Sequence, residues 1–98
     1  MPAINIIESD PARAISVPEL AKFCGVSETR FRRLFSEYSG GMSPVEYRNR
    51  LRIEKAEKMI RTGLVTVETA AWEAGFRDLS YFYRIYRKLK GTAPLAQL

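Results

Sequence analysis

Arg32 and Arg33 fall one turn into a helical pattern that opens at Ser27, and Arg84 holds a similar place in a second pattern that opens near Leu79. A guanidinium presents its N–H donors in a rigid fork that fits paired acceptors, such as those of guanine or of a phosphate. Around these arginines stand Glu28, Thr29 and Arg30 in the first stretch and Leu79, Ser80 and Tyr83 in the second. Neither stretch assembles an acid, a base and a nucleophile. Histidine is absent from the 98 residues and cysteine occurs once, as Cys24, so the commonest zinc and iron ligands, histidine-based catalysis and an internal disulfide are all missing. The chain therefore reads as a non-enzyme with no cofactor and no metal site, and Cys24 as a small turn residue.

Sixteen Lys and Arg against eleven Asp and Glu give a net charge of +5, which suits a polyanionic partner. The charge is unevenly spread. Residues 1–26 sum to −1, 27–42 to +1, 43–63 to +3, 64–76 to −2 and 77–98 to +4. The last block sets Arg77, Arg84, Arg87, Lys88 and Lys90 against Asp78 alone, within an aromatic-rich helical pattern. No apolar run reaches membrane-spanning length, and the start lacks the basic and apolar regions of a secretory signal, so the expected location is cytoplasmic.

The elements that must position these side chains are helical, because no sustained apolar–polar alternation marks a strand. Ala3–Ile7 suggests a short helix burying Ile4 and Ile7 and ending near Asp10-Pro11. Ser16 reads as the cap of a helix from about Val17 to Phe23, with Pro18 early in the turn and Glu19 as first-turn acid. Ser27 caps the next helix, whose Phe31, Leu34 and Phe35 form a core stripe, and Gly40-Gly41 ends it. From Val45 to about Arg61, Tyr47, Leu51, Ile53, Ala56, Met59 and Ile60 keep helical spacing for about five turns. Thr66 caps a short Ala-rich helix that breaks at Gly75, and a last helix runs from about Leu79 to Lys90, with Phe82, Ile85, Tyr86 and Leu89 facing inward. Length allows one compact domain, or two very small lobes sharing a helix.

An internal repeat organises these helices. Ser16, Ala21, Gly25 and Pro44 recur fifty positions later as Thr66, Ala71, Gly75 and Pro94, whereas Phe31–Phe35 matches Phe82–Tyr86 at an offset of fifty-one. Each copy runs cap, short helix with a central small residue, glycine turn, apolar plug (Val26 or Phe76), then a longer helix. That is the order of a helix-turn-helix.

The second copy, Ala74–Lys88, followed by Gly91-Thr92-Ala93-Pro94, resembles the signature of the AraC/XylS family of bacterial transcription regulators. The first copy is similar through Gly25-Val26-Ser27, Phe31, Arg33-Leu34-Phe35 and Gly41-Met42-Ser43-Pro44, and continues into Tyr47 and the Arg52-Ile53-x-x-Ala56 pattern. The resemblance implies an all-α fold of about seven helices: two homeodomain-like helix-turn-helix lobes, residues 1–43 and 63–98, joined by a long linker helix, 44–62. It implies sequence-specific binding of double-stranded promoter DNA, with the helices at about 27–38 and 79–90 in adjacent major-groove segments. One departure is the chain end, where Leu95-Ala96-Gln97-Leu98 replaces the Tyr-Arg pair expected after Pro94. An effector-binding or dimerisation domain, carried by most members, is expected on another part of the full-length protein.

On this reading Thr29, Arg32, Arg33, Leu79, Ser80, Tyr83 and Arg84 are candidates to meet base edges, with Thr29 and Arg33 assigned by the resemblance and Arg84 the first choice. Leu79 suits a thymine methyl. Arg30, Thr66, Arg77, Arg87, Lys88 and Lys90 are candidates for the DNA backbone, Thr66 through the helix it caps. Arg33 also fits a solvated or helix-pairing charge, and Tyr83 a packing role. Arg48, Arg50, Lys55, Lys58 and Arg61 suit a solvated face laced by Glu54–Lys58 and Glu57–Arg61 pairs, with Arg52 a tie between helices. Trp72 suits the second lobe's core before its other reading, a surface for RNA polymerase. The rival class is a helical protein-interaction module, which would present one continuous apolar groove.

Overall fold

The computed structural model describes residues 1–94, which form six α-helices and no strand: α1 (Pro2–Ser9), α2 (Val17–Phe23), α3 (Glu28–Ser39), α4 (Pro44–Arg61), α5 (Val67–Glu73) and α6 (Leu79–Lys90). The resemblance implies seven. By the repeat, a helix starting at Pro94 as α4 starts at Pro44 would fall on residues 95–98, outside the described residues, as does the departure after Pro94. No described helix is long and apolar enough to cross a membrane.

Five helices, α2 to α6, start where a side-chain oxygen receives an otherwise unpaired amide, Ser43 accepting from the Glu46 amide at the start of α4. Ser16 accepts from the Glu19 amide while the Glu19 carboxylate accepts from the Ser16 amide, a reciprocal box that gives Glu19 more than the dipole role its position suggests. Ser27 accepts from Arg30, Thr66 from Thr69 and Asp78 from Tyr81. Each such cap contributes about 1 kcal/mol.

The chain divides into two compact units, Met1–Arg48 and Asn49–Leu98, with the division inside α4. In the first, α2 packs on α1 and α3, and the core is built from Ala3, Ile7, Ile15, Leu20, Ala21, Phe31 and Phe35. Phe31 and Phe35 are fully buried, each contributing about 1.5–3 kcal/mol, and Phe35 meets Tyr47 edge-on at 5.6 Å. Ala3 and Ile7 form the inner stripe of α1, so Ile4, expected inside, is only half-buried. In the second unit Ile53, Ala56 and Ile60 of α4 pack with Val67, Ala70, Ala71 and Ala74 and with Phe76, Phe82 and Tyr86. Ile85 is half-buried against this core.

Two residues expected inside lie outside. Trp72 is 59% exposed, because Val67, Ala70, Ala71 and Ala74 hold the inner face of α5 and its position points away from them. Leu89, 39% exposed, stands in the last turn of α6, beyond the buried Phe82 and Tyr86.

The shift in repeat offset has a structural origin. After α2 and α5 the chain turns through Gly25 (φ +69°) and Gly75 (φ +108°), left-handed positions that a side chain strains, and the next amides, Val26 and Phe76, donate to Ala21 and Ala71. These pairs are fifty apart. The caps that follow, Ser27 and Asp78, are fifty-one apart, so the second turn holds one more residue, Arg77. The C-caps Gly40 and Gly91 keep the longer offset, and Gly41 restores the shorter one before Pro44 and Pro94.

Candidate nucleic-acid interface

In the first unit, α3 buries Phe31 and Phe35 and leaves Glu28, Thr29, Arg30, Arg32 and Arg33 exposed. Arg32 donates to Glu28 at 3.0 Å one turn earlier, so part of its fork is engaged. Arg30 and Arg33 make no side-chain ion pair or hydrogen bond among the described residues. Exposed α3 thus carries two unengaged guanidinium groups and a third held by its neighbour.

The second unit is more strongly basic. Asp78 caps α6, Phe82 and Tyr86 anchor it, and Leu79, Ser80, Arg84, Arg87 and Lys88 are exposed along it. Tyr83 is half-buried, packed against the core of its unit, and lines with Arg84, Arg87 and Ala93 a shallow pocket of about 450 Å³. Arg84, Arg87 and Lys88 have no ion pair among the described residues.

Three of the candidates for the DNA backbone are engaged inside the protein. Arg77, the extra turn residue, lays its guanidinium 4.2 Å above the Trp72 ring and donates to the Trp72 and Phe76 carbonyls at 3.1 and 3.2 Å. The Trp72 carbonyl belongs to the last turn of α5, where a cation also suits the helix dipole. Lys90 lies 3.3 Å from Glu57 of α4. Thr66 caps α5, and its hydroxyl also meets that of Thr69 at 2.9 Å.

The linker helix holds its neighbours more closely than a solvated face would. Tyr47 donates to Glu8 at 2.9 Å, and Arg48, expected in solvent, donates to the Ile15 carbonyl. Glu57 also lies 3.7 Å from Arg61, as the spacing suggested, whereas the expected Glu54–Lys58 pair is not formed. Asn49, only 7% exposed, donates to the Tyr81 hydroxyl at 2.7 Å. Tyr81 in turn lies under Arg84, whose guanidinium carbon is 5.2 Å from the ring centroid. Sequence reading passed over both Asn49 and Tyr81. The signals were present: Asn49 interrupts the apolar stripe continued by Ile53, Ala56 and Ile60, and Tyr81 stands three residues before Arg84, on the same helix face.

A family profile described as a helix-turn-helix domain matches residues 20–97. The solved structure of a "probable AraC family transcriptional regulator" from Rhodopseudomonas palustris superposes with a TM-score of 0.84 at 31% identity, covering 94% of this chain and 86% of that one. The chain belongs to the AraC family of helix-turn-helix domains. Similar curated proteins include the virulence regulon transcriptional activator VirF of Yersinia enterocolitica, 34% identical over 92% of this AraC-type domain and 33% of VirF. The transcriptional activator RhaS of Escherichia fergusonii is 30% identical over 90% of the domain and 31% of its own length. The domain spans about a third of the length of these curated relatives.

Proposed function

We propose that this AraC-type domain binds double-stranded promoter DNA sequence-specifically and so regulates transcription, with α3 and α6 entering adjacent major-groove segments. The observation that carries the reading is the pair of capped helix-turn-helix units whose second helices each expose arginines without ion pairs, Arg30 and Arg33 on one and Arg84 and Arg87 on the other. Unpaired guanidinium groups keep their donors available for guanine and phosphate. Arg33 and Arg84 are the principal base readers, with Thr29, Arg32, Leu79, Ser80 and Tyr83 beside them. Arg30, Arg87 and Lys88 neutralise phosphates, while Arg77, Lys90 and Thr66 serve first as internal ties. The work is done in the bacterial cytoplasm. The name "transcriptional activator" carried by RhaS and VirF supports a further partner, RNA polymerase, for which the exposed Trp72 and its pocket of about 550 Å³ offer a surface. An effector or dimerisation domain would occupy other parts of a full-length protein.

The test is selection of a consensus duplex from a randomised pool, followed by competition with random DNA across a salt series. Equal affinity for both sinks the reading. Arg84→Ala should relax preference at one base position and cost roughly 1–3 kcal/mol of discrimination.

A further inference from the structure

We propose that Tyr81 is a positioning residue for DNA readout: clamped by Asn49 of α4, its ring carries the Arg84 guanidinium and presents it to the base edge. The inference deepens the proposed function and rests on Arg84 reading a base.

Three arginines are held in different ways. Arg32 is held by a carboxylate and Arg77 by two carbonyls, and both arrangements use N–H donors. Arg84 is held by a ring face at 5.2 Å, within cation–π range, and makes no hydrogen bond among the described residues. A ring attracts the guanidinium through its face and leaves the in-plane donors of the fork open. Arg84 is thus restrained and still able to donate. A free arginine loses rotamer freedom on ordering. Supporting it on a ring before DNA arrives removes part of that loss from the binding step.

The platform is itself fixed from three directions. Asn49, almost fully buried, holds the hydroxyl at 2.7 Å; Phe76 meets the ring at 6.2 Å; and the Tyr81 amide donates to the Asp78 cap at 3.0 Å. The only acid on or capping α6, Asp78, is committed to that cap, so α6 offers no carboxylate to draw Arg84 away.

The experiment measures, for the full chain, the affinity ratio between the duplex selected by the unaltered protein and random duplex. Tyr81→Leu should lower this ratio about two- to tenfold, and should lower it no further in an Arg84→Ala background. Tyr81→Phe, which keeps the ring, should stay within about twofold of the unaltered protein. An unchanged ratio in Tyr81→Leu, or an equal further loss in the Arg84→Ala background, overturns the positioning role while leaving the proposed function intact. If Arg84→Ala leaves base preference unchanged, Arg84 is no base reader and the inference falls with that assignment. A pool that yields no consensus rejects sequence-specific binding itself, and the inference with it. Should Tyr81→Leu fail to fold, NMR of the unaltered chain decides: the Arg84 Hδ protons should be shifted upfield by the ring current, and random-coil shifts overturn the proposal.

Discussion

Glu57 of the linker helix lies 3.3 Å from Lys90 in the last turn of α6, at a site where both side chains are largely shielded from solvent. The basic block of α6 therefore divides into a structural lysine and exposed neighbours. Lys90→Ala should destabilise the second unit by about 1 kcal/mol in urea unfolding and leave the salt dependence of DNA binding unchanged. Lys88→Ala should do the reverse: little change in stability, and a slope of log affinity against log salt shallower by about 0.9. Equal salt slopes for the two variants would contradict the division.

Tyr86 is fully buried, and its hydroxyl has no hydrogen-bond partner among the described residues. Burial, reinforced by the Glu57 carboxylate, raises its pKa above the ordinary 10.0. The unfolded chain then loses this proton first, so the stability linked to Tyr86 is complete below pH 10.0 and declines as pH rises through its folded value. Tyr86→Phe should flatten that alkaline decline and, by removing an unpaired polar group, leave neutral stability equal or higher by about 1 kcal/mol. Loss of stability at neutral pH would show that the hydroxyl is satisfied.

The capping box gives the acid limb. Hydrogen bonds from the Ser16 side chain and amide hold the Glu19 carboxyl below its ordinary 4.5. Its contribution is present above pH 4.5 and fades as pH falls through the lowered folded value. Glu19→Gln should lose this component of the acid-induced decline, as followed by helix content during acid titration.

Gly25 is open around its Cα, since an added Cβ would meet nothing within 4 Å, yet its φ is +69°. Gly25→Ala should therefore cost about 1–2 kcal/mol through backbone strain alone, measured by thermal unfolding. A much larger loss would point to steric conflict instead.

Much of this was legible in the sequence, for reasons tied to particular residues. The last helix was bounded by its apolar stripe and Gly91, and Leu79–Lys90 is what forms. Trp72 misled because size suggested burial, whereas the alanines at 70, 71 and 74 already define the inner face. Arg48 misled because periodicity separates inside from outside but cannot tell a solvated arginine from one reaching a carbonyl. The Asn49–Tyr81–Arg84 chain joins α4 to α6, and such contacts between distant segments leave only a weak trace in local spacing.

The extra residue in the second turn sets a rule for exchanging recognition helices between the two units. A graft aligned on the glycines, fifty apart, would enter α6 one residue out of phase and rotate its outward face by about 100°. The grafted arginines would then turn away from their intended surface, and Phe31 and Phe35 would fall at positions 81 and 85 and miss the core positions 82 and 86. A graft aligned on the caps Ser27 and Asp78 keeps both faces. Exchange of helices between the two halves therefore follows the caps and not the glycines.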